Sequence, residues 1–216
     1  MGKKKNQWSK LFREYLEKGI QLKRYQKVGI LFLLVVFAGF FGWVYEFILY
    51  FFDGGMKEFY MQGGNLLPWI NIYAIGAVLV VATTFKLRRN PWLVFIVATL
   101  VTGILEFVAG WLVYTVGNGT RYWDYNIEIW NFGNIGGFVC LRSVLFFGVS
   151  ALFLMYMIIP SLVYLALNLS KRKFLTLAIT IFVLVMLDEV VNLTLKNLDL
   201  PTAMDFYESL GLKYKY

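Results

Sequence analysis

Apolar residues fall along this chain in long runs, with polar positions gathered between them instead of alternating through them. A transmembrane helix needs about 20 mainly apolar residues. Five stretches reach that length, at about 28–52, 66–85, 91–116, 135–160 and 174–195. Residues 161–169 are also apolar, so the fourth helix is expected to continue past Pro160, kinked where the ring removes a backbone donor. The first stretch is too long for a cleavable signal, and no small-residue cleavage site follows it. The pattern predicts an all-α integral membrane protein of five transmembrane helices. Ahead of the first, Trp8, Leu11, Phe12, Tyr15, Leu16 and Ile20 recur at helical spacing with Lys10, Arg13, Glu14, Glu17 and Lys18 between them. This reads as an amphipathic interfacial helix with its cations near anionic headgroups; a docking helix for a cytoplasmic partner is the other reading. The chain thus divides into a basic amphipathic segment (1–27), a five-helix domain (28–195) and a tail (196–216).

Charge fixes the direction of threading. Nine Lys and Arg precede the first stretch, three (Lys86, Arg88, Arg89) separate the second from the third, and three (Lys171, Arg172, Lys173) precede the fifth. The opposite side carries Lys57, Arg121, Lys196, Lys213 and Lys215. By the positive-inside rule the N-terminus is cytoplasmic and the C-terminal tail lies outside, as expected of a multi-pass protein of the cell membrane. The composition agrees: 59% apolar and 16% charged, against about 45–50% and 25% in soluble domains. The net charge of +8 is a topology signal, and no nucleic-acid partner is expected. The chain has no histidine, which excludes His-based catalytic dyads and His-ligated metals, and its single cysteine, Cys140, leaves no disulfide to form. No catalytic residue, metal or cofactor is predicted.

Ionisable residues inside a bilayer are costly, roughly 2.5–3.5 kcal/mol for Asp, Lys or Arg at a helix centre. Five fall within the predicted spans: Glu46, Glu106, Arg142, Asp188 and Glu189. With the helices oriented as above, a rise of roughly 1.5 Å per residue puts all five some 9–15 Å below the outer edge. This predicts one polar site in the outer half of the bundle. Arg142 is expected to fork onto Glu46 or Glu106. Only one of the adjacent Asp188 and Glu189 can point straight at the site, and Asp188 and Asn192 form an i,i+4 pair. Helix gluing by hydrogen bonds is the structural alternative.

The cluster Arg121-Tyr-Trp123-Asp124-Tyr125 lies in the outer loop above the acid layer and is expected to form its gate. The loop over 53–65 carries Gly54, Gly55, Gly63 and Gly64 and reads as a connector or a mobile lid. A faint repeat at an offset of 60 aligns Glu46-Phe47 with Glu106-Phe107, and Asn71-x-x-x-Ile-Gly76 with Asn131-x-x-x-Ile-Gly136. Repeat interfaces are where transporters place their sites.

Several of these residues carry a family resemblance: Gly42-Trp43-x-x-Glu46, Ile72-Tyr73-x-x-Gly76-Ala77, Gly103-x-x-Glu106, Arg121-x-Trp123-Asp124-Tyr125 and Asn134-x-x-Gly137-x-Val139-Cys140-Leu141. Over about residues 42–148 the chain resembles the small membrane proteins described as ABC-transporter permeases of the CmpB type. The resemblance implies a helical membrane subunit, although Asn71 departs from the family pattern, where a proline is expected. Asn71, Tyr73, Gly76, Asn131, Asn134 and Gly137 are expected to pack helices or line the site. The chain lacks the Gly-x-x-x-x-Gly-Lys-Ser/Thr loop that cradles ATP phosphates, so an ATP-driven role requires a separate cytoplasmic ATPase subunit. Membrane lipids are the other expected partners, and a homo-oligomer is compatible with the chain. Three readings stand at this point: a membrane transport protein or permease-like subunit binding a polar or cationic solute, a non-transporting scaffold or accessory protein, and an intramembrane enzyme acting on lipid or peptide.

Overall fold

The computed structural model describes residues 2–57 and 59–214. Of the charges counted above, Lys215 and the side chains of Lys3, Lys4 and Lys5 lie outside the described residues. The elements run α1 (Gly2–Glu17), α2 (Arg24–Asp53), β1 (Tyr60–Met61), α3 (Asn71–Thr84), α4 (Pro91–Val116), α5 (Leu141–Phe153), α6 (Ile159–Asn168), α7 (Lys171–Asn197), α8 (Ala203–Ser209) and β2 (Lys213–Tyr214). A 3-10 turn, Phe85–Leu87, prolongs α3, and a π-helical turn, Leu154–Ile158, joins α5 to α6. Among the described residues, four helices are long and apolar enough to cross a membrane: α2, α4, the continuous helix Leu141–Asn168, and α7. The fifth apolar helix, Asn71–Leu87, is shorter.

Helix α2 is the hub, with α3, α6 and α7 packed on it, while α4 packs between α3 and α5. Three glycines make the close approaches on α2. The ring of Phe174 covers Gly29, the indole of Trp69 covers Gly39, and the ring of Tyr73 covers Gly42; a Cβ at any of the three would collide with that ring. The outward faces of α4 and α7 are apolar and open, with Leu100 61%, Ile104 65%, Leu184 55% and Val190 58% exposed. Such a stripe is at home against lipid tails and costly in water. Local signals set the ends: Asn90 accepts from the amides of Trp92 (3.0 Å) and Leu93 (3.3 Å), with Pro91 opening α4.

Two boundaries differ from those the apolar runs predict. The second stretch becomes helical only at Asn71, because residues 63–68 run in bends and the chain then meets α2, where the Ile70 amide donates to Gly39 O (3.2 Å) and the Trp69 indole to Val35 O (3.2 Å). The fourth becomes helical at Leu141, since Gly136 and Gly137 hold positive φ (62° and 80°) in the loop before it. Helix continuation past Pro160 does occur, and the π turn one residue before α6 re-registers the hydrogen bonds around the proline. The repeat also fails in its second half: Asn71–Gly76 opens α3, whereas 131–136 lies in a loop.

The two ends of the bundle are built differently. At the basic end, α1 lays its apolar stripe on protein: Leu11 and Tyr15 join one core with Met155, Ile159 and Val163. The Tyr15 hydroxyl donates to Met155 O (3.0 Å), Arg88 Nε donates to Tyr15 O (2.6 Å), and Arg89 reaches Glu17 O. At the other end, the segment 59–70 is pinned by the chain's tail. β1 pairs in parallel with β2, the Tyr207 hydroxyl donates to Leu66 O (2.5 Å), and the Ala203 amide donates to Asn192 Oδ1 (2.8 Å).

The glycine contacts yield a test. Gly42→Ala should destabilise the protein by about 1–3 kcal/mol, because the Tyr73 ring must leave its place. The measurement is thermal unfolding in detergent, and an unchanged midpoint would show that the ring relaxes freely.

Candidate functional site

At the end opposite α1, the helices and the loops over them line a half-open cavity of about 850 Å³. Its existence follows from unequal helix lengths. α3 starts beside Gly39, the middle of the 30-residue α2, so the second half of α2 has no helical neighbour on that side. Irregular chain and side chains fill the gap only in part.

Four carboxylates from four separate segments line this space: Glu46 on α2, Glu106 on α4, Glu128 on the α4–α5 loop and Glu189 on α7. Each is held by donors. Glu46 accepts from the Tyr73 hydroxyl (2.9 Å). Glu106, 7% exposed, accepts from the hydroxyls of Ser143 (2.7 Å) and Tyr125. Glu189 takes the side-chain amides of Asn65 (2.6 Å) and Asn71 (3.1 Å). Glu128 forms a buried ion pair with Arg142 Nη2 (2.9 Å) and faces the Tyr50 hydroxyl (3.4 Å). Arg142 Nη1 donates in turn to Ile129 O (2.6 Å), and its guanidinium covers the Tyr125 ring at 5.2 Å. Burial and then the Glu106 charge push the Tyr125 hydroxyl well above its ordinary pKa, so it remains a donor. Lys196 is a basic residue in the lining, and aromatic rings of α2, α3 and α5 form much of the wall.

Residues 32–193 match the family described as "Putative ABC-transporter type IV". The chain belongs to that family. No curated protein and no solved structure matches it. The match to the type IV family takes in every carboxylate of the cavity and ends before α8, and with the four apolar helices it makes this a multi-pass membrane protein.

The structure sorts the residues singled out in this type IV chain. Glu46, Glu106, Glu189, Asn192, Asn71, Tyr73 and Gly76 line the cavity, as do Trp123 and Tyr125. Asp188 turns instead to the 59–70 segment, where its carboxylate accepts from the amides of Leu66 (3.2 Å) and Leu67 (2.6 Å), and from Asn192 (2.8 Å). Arg121 and Asp124 pair with each other at 3.6 Å, and Arg121 lies over the rings of Tyr114 and Phe138. Both belong to the internal frame of the loop. Asn131, Asn134 and Gly137 share that frame: Asn134 Oδ1 accepts from Gly137 N (2.8 Å), and a Cβ at Gly137 would strike Asn126, Arg121 and Asp124.

Arg142 requires a correction. It sits in the first turn of α5, not several residues into a span, and its carboxylate is Glu128, not Glu46 or Glu106. Glu128 lies outside the apolar runs and therefore reads as a solvated loop residue, yet the loop folds inward and buries it to 7% exposure. Asn65 escaped for a similar reason, since a single amide carries no periodic signal.

Arg142→Met should cost about 3–5 kcal/mol, because Glu128 is left buried without its cation. Arg142→Met/Glu128→Leu should recover most of that loss in the same detergent melting assay. A double variant as unstable as the single one would show that the pair is not the source of the effect.

Proposed function

We propose that the protein is a five-helix membrane component of an ABC-type transporter, with its N-terminus in the cytoplasm and its cavity holding a polar or cationic solute that enters from the outer side. The observation carrying this reading is that acids from α2, α4, α7 and the α4–α5 loop face one volume. Intramembrane acids that serve only to glue helices have no need of a shared cavity. Lys196 and the already paired Arg142 are outnumbered by these acids, so the field in the space favours cations.

The orientation rests on the Lys and Arg of α1 and of the connections at 88–90 and 169–170 with their flanks. α3 acts as the fifth span: its helix is short, and the buried Trp69 and Ile70 continue the crossing. Glu46, Glu106 and Glu189 are the anionic contacts, Asn71, Asn192 and Tyr73 the neutral ones, and Trp123 and Tyr125 the outer rim. Energy comes from a separate ATPase, for which the charged outer face of α1 is the docking surface.

A thiol-labelling experiment tests this reading. In a Cys140→Ser background, Ala109→Cys and Ser150→Cys each place one thiol on the cavity wall. A trimethylammonium-bearing methanethiosulfonate added to intact cells should modify them about 10-fold faster, or more, than its sulfonate counterpart. Equal rates would remove the cation-selective site. Modification confined to inverted vesicles would reverse the orientation.

A further inference from the structure

We propose that the solute is an amphiphilic organic cation, a quaternary or tertiary ammonium carried on an apolar body. This rests on the reading of the cavity as a solute site and narrows the chemistry it accepts. The first ground is size. At about 850 Å³ the space lies within the roughly 300–1,000 Å³ typical of sites for drug-sized ligands, whereas one water needs about 30 Å³. A bare or hydrated ion would leave most of it unfilled.

The second ground is the spacing of the acids. Among the described residues, no three Asp, Glu or Cys side chains converge closely enough to hold one metal ion. The carboxylates are spread around the space, so each can meet a different part of an extended ligand. The third ground is the wall between them. Tyr45 stacks on Phe146 with centroids 3.7 Å apart, Phe41 lies 6.1 Å from Phe146 and 6.0 Å from Phe153, and Tyr73 meets Phe147 edge-on at 5.7 Å. These rings, all lining the cavity, form a continuous aromatic surface beside Glu46.

Hydrogen bonding completes the argument. The Tyr73 and Tyr125 hydroxyls donate to Glu46 and Glu106, so the phenol protons are turned to the carboxylates. An alkylated ammonium donates no hydrogen bond or only one, is drawn to ring faces, and is balanced by a nearby carboxylate. Its apolar body suits the Phe41–Phe146 side of the wall. The same trimethylammonium chemistry is available from a free solute and from the headgroup of a choline lipid, and the experiment separates the two.

The full-length protein in phosphatidylglycerol nanodiscs is titrated with benzyltrimethylammonium chloride, with potassium chloride and with neopentylbenzene, the neutral isostere in which carbon replaces the ammonium nitrogen, at constant ionic strength. Fluorescence of Trp123 on the cavity rim, in the context of the total tryptophan signal, gives the readout. Saturable quenching by benzyltrimethylammonium alone is expected. Phe146→Leu, checked for folding by elution and melting, should weaken it by about 3- to 30-fold. Should that variant not fold, the three-probe series on the wild type decides alone. Equal responses to potassium or to the neutral isostere, or no response to benzyltrimethylammonium, would overturn the proposal. Repeating the titration in phosphatidylcholine nanodiscs identifies the source: loss of probe binding there assigns the site to the lipid headgroup, and unchanged binding assigns it to a soluble cation. If the wall thiols react cation-selectively but benzyltrimethylammonium does not bind, the solute site stands and only this ligand class fails.

Discussion

The short third helix is the constraint from which the rest of the molecule follows. α2 runs for 30 residues, while α3 begins beside its midpoint, where the Ile70 amide meets Gly39 O. A bundle built this way has an unfilled sector over half its height. Water cannot satisfy exposed backbone inside a membrane, so irregular chain is tolerated there only if it is buried in protein or lines a cavity. The molecule does both. Residues 65–70 are bonded to α2, α7 and the tail, and the space left over is the acid-lined cavity.

Buried charge in this sector is stabilised by chain segments brought in from outside it. The α4–α5 loop supplies Glu128 to Arg142 and Tyr125 to Glu106, and its Ile129 amide donates to Asp53 at the end of α2 (3.1 Å). The 59–70 segment supplies Asn65 to Glu189. Glu106, Glu128 and Glu189 are therefore also tethers, and loop order and cavity chemistry are one network. Removing one member leaves its partner dry, which is why such networks fail as units.

Much of the architecture was legible in the sequence because long apolar runs and clustered Lys and Arg are strong signals. The limits of α4 and α7 lie within a few residues of their apolar runs, and Asn90-Pro91 marks the start of α4 outright. The boundaries at 66 and 135 were not legible, since hydropathy cannot tell an apolar helix from apolar extended chain such as Trp69-Ile70 buried in protein. For the candidate site, the acids were legible as misfits in apolar surroundings, and three of the four in the spans line the cavity. Of their partners, Tyr73, Asn71 and Tyr125 stood among the residues singled out. Glu128 did not, because it reaches the interior by a loop path that no periodicity encodes, and so Arg142 had no visible carboxylate but the wrong ones.

The wide π turn at Leu154–Ile158 has a mechanical consequence. A π turn breaks the α-helical hydrogen-bond register, and here the carbonyl of Met155 receives a hydroxyl from Tyr15 on the amphipathic segment. Its neighbour Leu154 is part of the cavity wall. Anything that draws α1 off the underside must break this bond one residue away from the chamber, together with the Leu11–Tyr15 packing and the Arg88 and Arg89 contacts, so a displacement of α1 bears directly on the cavity wall.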